Sequence, residues 1–180
     1  MCLIAIQGIL GSYSEEAVQR MYDGKASILE CLNFDETFQA VVDKKADFAV
    51  VPLKNNIVGQ IKSASAVLKM HDLKILEELP LEIQHVLIGT RDGRFENLQT
   101  VVSHEEALKQ CRKFLSENAS LQANVGRDTA SCVKKVVEEN DSVRAAIGSR
   151  RAAEIYGGKI LKENIADEAE NVTTFYLIGN

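Results

Sequence analysis

Apolar segments with the length of β-strands alternate with segments of helical periodicity along nearly the whole chain. In the first half the strand-like segments are 3–6, 27–31, 48–51 and 74–79. Three helical segments lie between them: the first begins near Ser14, the second contains Phe38 and Val41, and the third contains Ile61 and Leu68. A strand, a helix and a further strand in that order form a parallel pair with a crossover helix. The alternation therefore predicts an α/β protein in which helices cover both faces of a parallel sheet.

The same order of elements recurs in the second half. We expect Pro52 to end the strand 48–51, and Pro80 to precede a long strand at 81–89, at a sheet edge or at a crossing between lobes. Further strands are predicted at 99–102, 121–125, 145–147 and 173–179, and helices at 105–115, 129–137 and 151–156.

Composition and charge exclude several classes of partner. The 180 residues include 21 Lys and Arg against 26 Asp and Glu, a formal net charge of −5, and 6% aromatic residues without Trp. An acidic surface with few stacking side chains disfavours nucleic-acid binding. No apolar run reaches the roughly 18 residues that span a bilayer, and the apolar N-terminus lacks the basic start of a signal peptide. We therefore predict a cytoplasmic protein that binds neither nucleic acid nor membrane.

Neither cysteine nor histidine spacing predicts a metal site. The four cysteines stand far apart, at positions 2, 31, 111 and 132, without Cys-x-x-Cys or Cys–His ligand spacing. We interpret them as reduced, buried apolar side chains. His71 and His85 likewise lie outside any metal-like cluster.

Polar residues gather at the turns that follow predicted strands. These turns are Ser12-Tyr13-Ser14, Lys54-Asn55-Asn56, Ser103-His104 and Asp128-Thr129. In open α/β sheets such turns bind ligands, although Ser12 with Glu15 also fits a capping box, and Ser103 and Thr129 could be plain helix N-caps. Hydroxyls, carboxamides and one cation suit a small polar anion. Because no Gly-rich phosphate loop is present, we predict no nucleotide cofactor. No Ser or Cys stands in an elbow motif with a base, so we predict no nucleophile paired with a base either.

These turns belong to longer segments that occur in a fixed order. They are Gly11–Ala17, Ala46–Asn56 with Gly59, Leu79–Leu81 with His85, Ser103–Cys111, Asp128–Ala130, Ala145–Ser149, Ala152–Gly157 and Asn171–Gly179. In this order they resemble the prephenate dehydratase domain, and the resemblance covers nearly the whole chain.

The resemblance implies a two-lobed, doubly wound α/β fold like that of type II periplasmic binding proteins, with the active cleft between the lobes. One lobe would comprise residues 1–78 plus 166–180, and the other residues 79–165. It also implies conversion of prephenate to phenylpyruvate in phenylalanine biosynthesis, no metal or organic cofactor, and a homodimer or tetramer. Because the sequence ends at Asn180, where a regulatory ACT domain follows in many relatives, we expect no phenylalanine feedback through such a domain.

Matching the family position by position assigns the site residues. Thr173 is the expected catalytic group, which assists departure of the ring hydroxyl. The expected substrate-binding residues are Lys54, Asn55, Asn56, Ser103, Gln110, Thr129, Ala130, Thr174 and Phe175.

Two positions depart from the family pattern. The family's Thr-Arg-Phe is here Thr173-Thr174-Phe175, and its Glu-Asn-Ser is here Lys54-Asn55-Asn56. One interpretation is that Lys54 takes over part of the arginine's role as counter-ion to a substrate carboxylate, without bidentate recognition. The alternatives are a decarboxylase that keeps the hydroxyl, an arogenate dehydratase, and a relative that binds a small carboxylate without turnover.

Overall fold

Residues 2–180, which the computed structural model describes, form eleven β-strands and seven α-helices. The chain divides into two units. The first runs from the N-terminal strand to Ile83 and includes Glu170–Asn180, and the second is Gln84–Ala169. Within residues 2–180 no helix is both long enough and apolar enough to cross a membrane.

The first unit contains one mixed sheet. Its elements are β1 (Leu3–Gln7), α1 (Tyr13–Met21), β2 (Ser27–Cys31), α2 (Phe34–Val42), β3 (Phe48–Asn55), β4 (Gly59–Gln60), α3 (Lys62–Leu68), β5 (Lys74–Glu82) and β11 (Val172–Gly179). The strand order is β2-β1-β3-β11-β5, with β4 paired to β3. Strand β1 is parallel to β2 and β3, whereas β11 is antiparallel to both of its neighbours.

Each face of this sheet has its own apolar core. On one face Phe38 and Val41 of α2 and Ala64 of α3 pack on the sheet. On the other face Ala17 and Val18 of α1 pack with strand residues that include Ile4, Ile6, Val50, Leu81 and Phe175. Helices thus cover both faces, as the alternation predicts.

The second unit contains a second mixed sheet. Its elements are β6 (Val86–Gly89), a 3₁₀ turn (Phe95–Asn97), β7 (Thr100–Ser103), α4 (Glu105–Lys109), α5 (Arg112–Glu117), β8 (Gln122–Val125), α6 (Thr129–Glu139), β9 (Arg144–Gly148), α7 (Arg150–Tyr156) and β10 (Lys159–Lys162). The strand order is β10-β6-β9-β7-β8. Strand β7 is parallel to β8 and β9, while β6 is antiparallel to β9 and β10.

The α/β fold class with two units is confirmed, but the prediction of purely parallel sheets is wrong. Strand β11 joins the first sheet after the chain has passed through the whole second unit, so no crossover helix sets its direction. Strand β10 was not predicted because Lys159–Lys162 is a short edge strand with polar ends and no clear alternation.

Both prolines lie within strands, which corrects two predicted boundaries. Strand β3 does not stop at Pro52, because its pairing with β11 continues across a shift in register that follows Thr174. Pro80 lies inside β5, an edge strand, where a missing N–H is tolerated. The strand predicted at 81–89 is therefore two strands, interrupted at residues 83–85.

The division between the units follows from the length of β5. The sequence places the lobe boundaries at 78/79 and 165/166. In the structure β5 stays paired with β11 up to Glu82, so the division falls at 83/84 and 169/170.

The helix predicted at 105–115 is broken at two residues. Gln110 is the C-cap of α4 and Cys111 is the N-cap of α5. The backbone carbonyl of Gln110 accepts a hydrogen bond from the Asp167 N–H at 2.7 Å. This contact comes from a segment more than fifty residues away, which local periodicity does not reveal.

Candidate active site

Asn55 and Thr173 lie side by side on neighbouring strands. Asn55 ends β3, and the antiparallel register places Thr173 of β11 directly opposite it. The Asn55 Nδ2 donates to Thr173 Oγ1 at 2.9 Å and to Asn171 Oδ1 at 2.8 Å. All three residues are buried: Asn55 is 4% exposed, Thr173 is 7% exposed and Asn171 is 1% exposed. The extension of β3 past Pro52 is what creates this cluster.

Asn55 uses both ends of its carboxamide. Its Oδ1 accepts from the backbone N–H groups of Ile57 at 2.8 Å and Val58 at 3.0 Å. A carboxamide offers two donors and two acceptor positions, and all four are used by these contacts and the two bonds to Thr173 and Asn171. Asn55 is therefore built to orient Thr173 rather than to receive a ligand.

The hydrogen bond from Asn55 fixes the polarity of the Thr173 hydroxyl. Because the Thr173 oxygen accepts the amide proton, its own O–H proton can be directed to another acceptor. A buried hydroxyl held in this way is a positioned donor, and such bonds strengthen where water is excluded. The geometry thus suits donation to an oxygen atom of a ligand.

Asn171 and Asn56 hold the start of β11 in place. Asn56 Nδ2 donates to the Glu170 carbonyl at 2.7 Å, and its Oδ1 accepts from the Val172 N–H at 2.7 Å. The Asn171 carbonyl accepts from the Ile83 N–H at 2.7 Å. Sequence reasoning did not assign a role to Asn171, because its only distinguishing signal is its place two residues before the predicted catalytic threonine.

Lys54 and Thr174 lie on the opposite face of the same strand pair. Thr174 precedes Tyr176 by two residues, and Tyr176 packs on the α2 and α3 side, whereas Phe175 packs on the α1 side. Successive strand residues point to opposite faces, so Thr173 shares the face of Phe175 and Thr174 that of Tyr176. Lys54 is exposed and lines a surface groove with Lys69 and Tyr176.

The register makes Lys54 and Thr174 direct cross-strand partners. The two positions that depart from the family pattern are therefore neighbours, separated from the Thr173 hydroxyl by the thickness of the sheet. Lys54 and the Thr173 hydroxyl therefore lie on opposite faces of the strand pair.

Phe175 is a core residue of the first unit. Its side chain is 2% exposed and packs in the cluster that contains Ile4, Ile6 and Leu81. Full burial of such a side chain contributes about 1.5–3 kcal/mol to folding. Phe175 is therefore a core residue on the same face of β11 as Thr173.

Ser103 fastens two strands of the second unit. It is fully buried at the end of β7, and its Oγ donates to the Ile147 carbonyl of β9 at 2.7 Å. Its backbone carbonyl accepts from the Gly126 N–H at 2.8 Å, which brings the turn after β8 next to it. The Ser103 proton is thus committed to the backbone, and the predicted alternative of an N-cap is wrong because His104 caps α4.

Thr129 and Ala130 form the first turn of α6. The N-cap is Asp128, whose Oδ1 accepts from the Ser131 N–H at 2.7 Å, so Thr129 is not the cap. The first backbone N–H groups of a helix have no acceptor within the helix and carry the positive end of its dipole. This turn suits a carboxylate in the second unit.

The turn before α1 confirms only half of the predicted capping box. The Ser12 Oγ accepts from the Glu15 N–H at 3.2 Å, as a cap does. The Glu15 carboxylate, which is fully buried, accepts from the Gly11 N–H at 3.4 Å. Glu15 therefore fastens the preceding turn.

Gln110 and His85 form a hydrogen-bonded pair in the second unit. Gln110 Oε1 lies 2.8 Å from His85 Nε2, and His85 is only 3% exposed. Burial lowers the pKa of His85 below its usual 6.5, since a charged ring would lose its hydration. His85 is thus held neutral at pH 7.

The cysteine environments do not favour a nucleophilic thiolate. Burial raises the pKa of Cys111 to about 12, with the nearby Asp167 charge adding to the effect. Burial also raises the pKa values of Cys2, Cys31 and Cys132. The reactive form of a cysteine is the thiolate, so these side chains are chemically quiet. No group of three or more His, Cys, Asp or Glu within residues 2–180 could hold a metal ion.

Comparison of the sequence with known proteins identifies a family and several relatives. The sequence model of the prephenate dehydratase family matches residues 4–180. Arogenate dehydratase 3, a chloroplastic protein of Arabidopsis thaliana, is 40% identical over 180 residues, covering 98% of this chain and 42% of that protein. The prephenate dehydratase of Methanocaldococcus jannaschii is 38% identical over 173 residues, covering 94% of this chain and 61% of that protein.

Structure comparison gives the same family. The crystal structure of the prephenate dehydratase from Staphylococcus aureus matches with a TM-score of 0.80 and 26% identity, covering 99% of this chain and 66% of that one. This chain spans less than half the length of the plant relative. Because the family match extends over nearly every residue, the chain belongs to the prephenate dehydratase family.

Proposed function

We propose that this chain catalyses the decarboxylating dehydration of prephenate to phenylpyruvate, a step of phenylalanine biosynthesis. The observation that carries the proposal is the hydrogen bond from Asn55 to Thr173, which leaves the threonine O–H as a donor. Membership of the prephenate dehydratase family supports the choice of reaction.

The reaction asks little of the protein beyond positioning and one donor. The C–C bond to the ring carboxylate breaks and releases carbon dioxide, its electron pair makes the ring aromatic, and the C–O bond to the ring hydroxyl breaks. Hydroxide leaves as water, so the prephenate dianion and one solvent proton give the phenylpyruvate anion, carbon dioxide and water. A hydrogen bond from Thr173 to the departing oxygen stabilises the charge that develops there.

The remaining predicted residues divide into two roles. We assign Asn55 and Asn56 to holding Thr173 and the start of β11 in place. We assign Gln110, Thr129 and Ala130 to the substrate's carboxylate and carbonyl oxygens, and Ser103 to the strand that precedes them. Lys54, Thr174 and Phe175 have no direct contact with substrate in this proposal.

Arogenate is the second candidate substrate. It differs from prephenate in carrying an amino group where prephenate has a keto group, and the same elimination from it yields phenylalanine. The relative with 40% identity is named an arogenate dehydratase, and another at 35% is named for both activities. Neither the Asn55–Thr173 pair nor the α6 turn discriminates between the two side chains.

Parallel assays of the purified protein with prephenate and with arogenate test both candidates. We expect phenylpyruvate from prephenate, seen by its ultraviolet absorbance, and mass spectrometry identifies the product from each substrate. A product that retains the hydroxyl would show a decarboxylase. Calorimetric binding of prephenate without any turnover at high protein concentration would make the chain a non-catalytic binder and end the proposal.

Membership of the family also supports a proposal for the oligomeric state and the compartment of the protein. We propose a homodimer or tetramer in the cytoplasm. Analytical ultracentrifugation of the purified chain tests the assembly, and a single species at the 19.8 kDa of one chain would contradict it.

A further inference from the structure

The surface groove that Lys54 lines is a cavity that the proposed reaction does not use. It lies on the face of the first sheet that α3 covers, whereas the Thr173 hydroxyl lies on the other face. The groove has a volume of about 390 Å³. Pockets that hold small molecules have volumes of roughly 300–1,000 Å³. The groove is therefore large enough for a compact organic ligand.

Two parts of the first unit supply the polar lining of the groove. From α3 come Ser65 and, four residues later, the helix C-cap Lys69. This spacing places both side chains on one face of the helix. From the sheet come Lys54 of β3 and Gln60 of β4, which are paired across the two strands. The groove is thus built between the helix and the strands that it covers.

The remaining lining is apolar. It consists of Leu53, Leu68, Ile75 and the ring of Tyr176. Burial raises the pKa of Tyr176, and the charge of Glu78 and a hydrogen bond to it raise this pKa further. The Tyr176 hydroxyl is therefore already bonded to Glu78, and what Tyr176 offers to the groove is its ring.

Two positive charges border this apolar surface without a counter-ion. Lys54 and Lys69 are exposed, and neither forms an ion pair with any residue in the range 2–180. None of the described residues that line the groove is acidic. The chain as a whole has a formal net charge of −5, so two unpaired lysines in one groove are a local exception. They favour an anionic ligand.

Ser65 is a polar side chain that is buried without a hydrogen-bond partner. The residue is only 9% exposed and lines the groove. Among residues 2–180 no group is hydrogen-bonded to its hydroxyl, although its backbone N–H and carbonyl bond to Ile61 and Lys69 within the helix. Buried polar atoms as a rule have a partner, and a hydroxyl can donate one proton. The open valence of Ser65 therefore points to an acceptor inside the groove.

We propose that this groove binds a small carboxylate that carries an apolar or aromatic group. The carboxylate pairs with Lys54 and Lys69 and accepts a hydrogen bond from Ser65. The apolar group covers Leu68 and Ile75, of which Ile75 is otherwise exposed to water. Because the groove and the Thr173 hydroxyl lie on opposite faces of the strand pair, this site is separate from the proposed catalytic one. Its occupancy does not depend on turnover.

Three probes of matched chemistry form the first test. Isothermal titration calorimetry of the purified protein at neutral pH should show saturable binding of 3-phenylpropionate. We expect 3-phenylpropanol, which keeps the ring without the charge, and acetate, which keeps the charge without the ring, to bind at least about 10-fold more weakly. Equal affinity for the alcohol or for acetate would overturn the proposal, because the ligand would then use only one half of the groove.

Variants of the polar lining form the second test. Removing both charges in the Lys54→Met/Lys69→Met protein should raise the Kd of 3-phenylpropionate about 10-fold or more, and Ser65→Ala should raise it about 3-fold. Lys62→Met is the matched control, since Lys62 is an exposed lysine of α3 outside the lining, and its Kd should equal that of the wild type. An unchanged Kd in the double variant would overturn the proposal.

The position of the bound probe separates this site from the proposed catalytic one. In ¹H–¹⁵N correlation spectra 3-phenylpropionate should shift the amide signals of Ser65 and Lys69, and the Thr173→Val variant should bind it like the wild type. Loss of binding in Thr173→Val with no effect of the lysine changes would place the probe in the catalytic site and end the proposal. If the wild type converts neither prephenate nor arogenate, the proposed function fails, while these binding measurements still decide the role of the groove.

Folding of the variants is checked by circular dichroism. We expect native spectra, because both lysines are exposed and the Ser65 hydroxyl has no bond to lose within residues 2–180. If the double variant does not fold, the single lysine variants decide the outcome, and each should raise the Kd about 3-fold. An unchanged Kd in both single variants would overturn the proposal equally.

Discussion

The two faces of the β3–β11 pair differ in burial and in bonding, although their residues alternate along the same two strands. On one face Asn55, Asn171 and Thr173 are buried and joined by hydrogen bonds. On the other face Lys54 is paired with Thr174 across the strands. Lys54 is exposed there and lines a surface groove. A substitution on the first face removes hydrogen-bond partners from buried polar groups. A side chain substituted at Lys54 on the second face is solvated by water.

This contrast explains where the chain departs from its family. The family's glutamate and arginine at positions 54 and 174 would face each other across the strands and form an ion pair, because the register pairs these two positions. The changes to Lys54 and Thr174 are then coupled, in a cross-strand pair of which Lys54 is exposed and Thr174 is half-buried. The buried face keeps its asparagine and threonine, so the departure from the family motif does not touch the proposed donor.

Removing the donor on the buried face should have the largest effect. Thr173→Val keeps the shape of the side chain and deletes the hydroxyl, and we expect kcat to fall about 10²-fold or more, as for loss of a positioned acid. Steady-state rates of phenylpyruvate formation measure it. Thr173→Ser is the matched control, since it keeps the hydroxyl, and it should retain most of the rate. A Val variant as fast as wild type would remove Thr173 from the reaction.

Reversing the polarity of the same bond should have a smaller effect. In Asn55→Asp the group facing Thr173 becomes an acceptor, so the threonine O–H turns towards it and is withdrawn from the substrate. We expect kcat to fall about 10-fold or more while the Asp oxygen still accepts from the Ile57 and Val58 N–H groups.

Circular dichroism and urea unfolding establish that this variant is folded. Unchanged kcat in a folded Asn55→Asp protein would contradict the role of Asn55 in orienting Thr173.

Restoring the family pair on the exposed face should have the smallest effect. A double-mutant cycle with Lys54→Glu, Thr174→Arg and both together should give a favourable coupling of about 0.2–1 kcal/mol, the range of exposed or cross-strand ion pairs. Urea unfolding at low and high salt measures this coupling, which should weaken with salt. In the same proteins kcat should change less than about 3-fold. A larger change would mean that the exposed face takes part in the reaction and that the two faces are not independent.

The sequence was informative where a pattern is local. The strand at 27–31, the start of α6 at Thr129 and the order of elements follow from side-chain periodicity and turn residues, and the structure confirms them. The candidate residues at the ends of β3 and β7 follow from the same order. Their roles do not, since a polar residue after a strand can contact a ligand, cap a helix or bond to a neighbouring strand with equal ease.

The sequence-based predictions were wrong where segments distant in the sequence pair with each other. The strand β3 passes Pro52 because β11 arrives as an antiparallel neighbour, and the helix after β7 breaks at Gln110, whose backbone bonds to Asp167. The role of Asn171 was not predicted for the same reason, because its partner Asn55 is 116 residues away in the sequence. No local window contains both members of such a pair.

The sequence by itself determined the α/β class, the family resemblance and the presence of a threonine and two asparagines at the motif positions, because these depend on residue type and order. The tertiary structure decided which of these side chains face each other. Register placed Asn55 against Thr173 and Lys54 against Thr174, and the alternation of strand residues put the two pairs on opposite faces. Residue types set the chemistry that is available, and pairing across more than a hundred residues sets which hydroxyl becomes a donor.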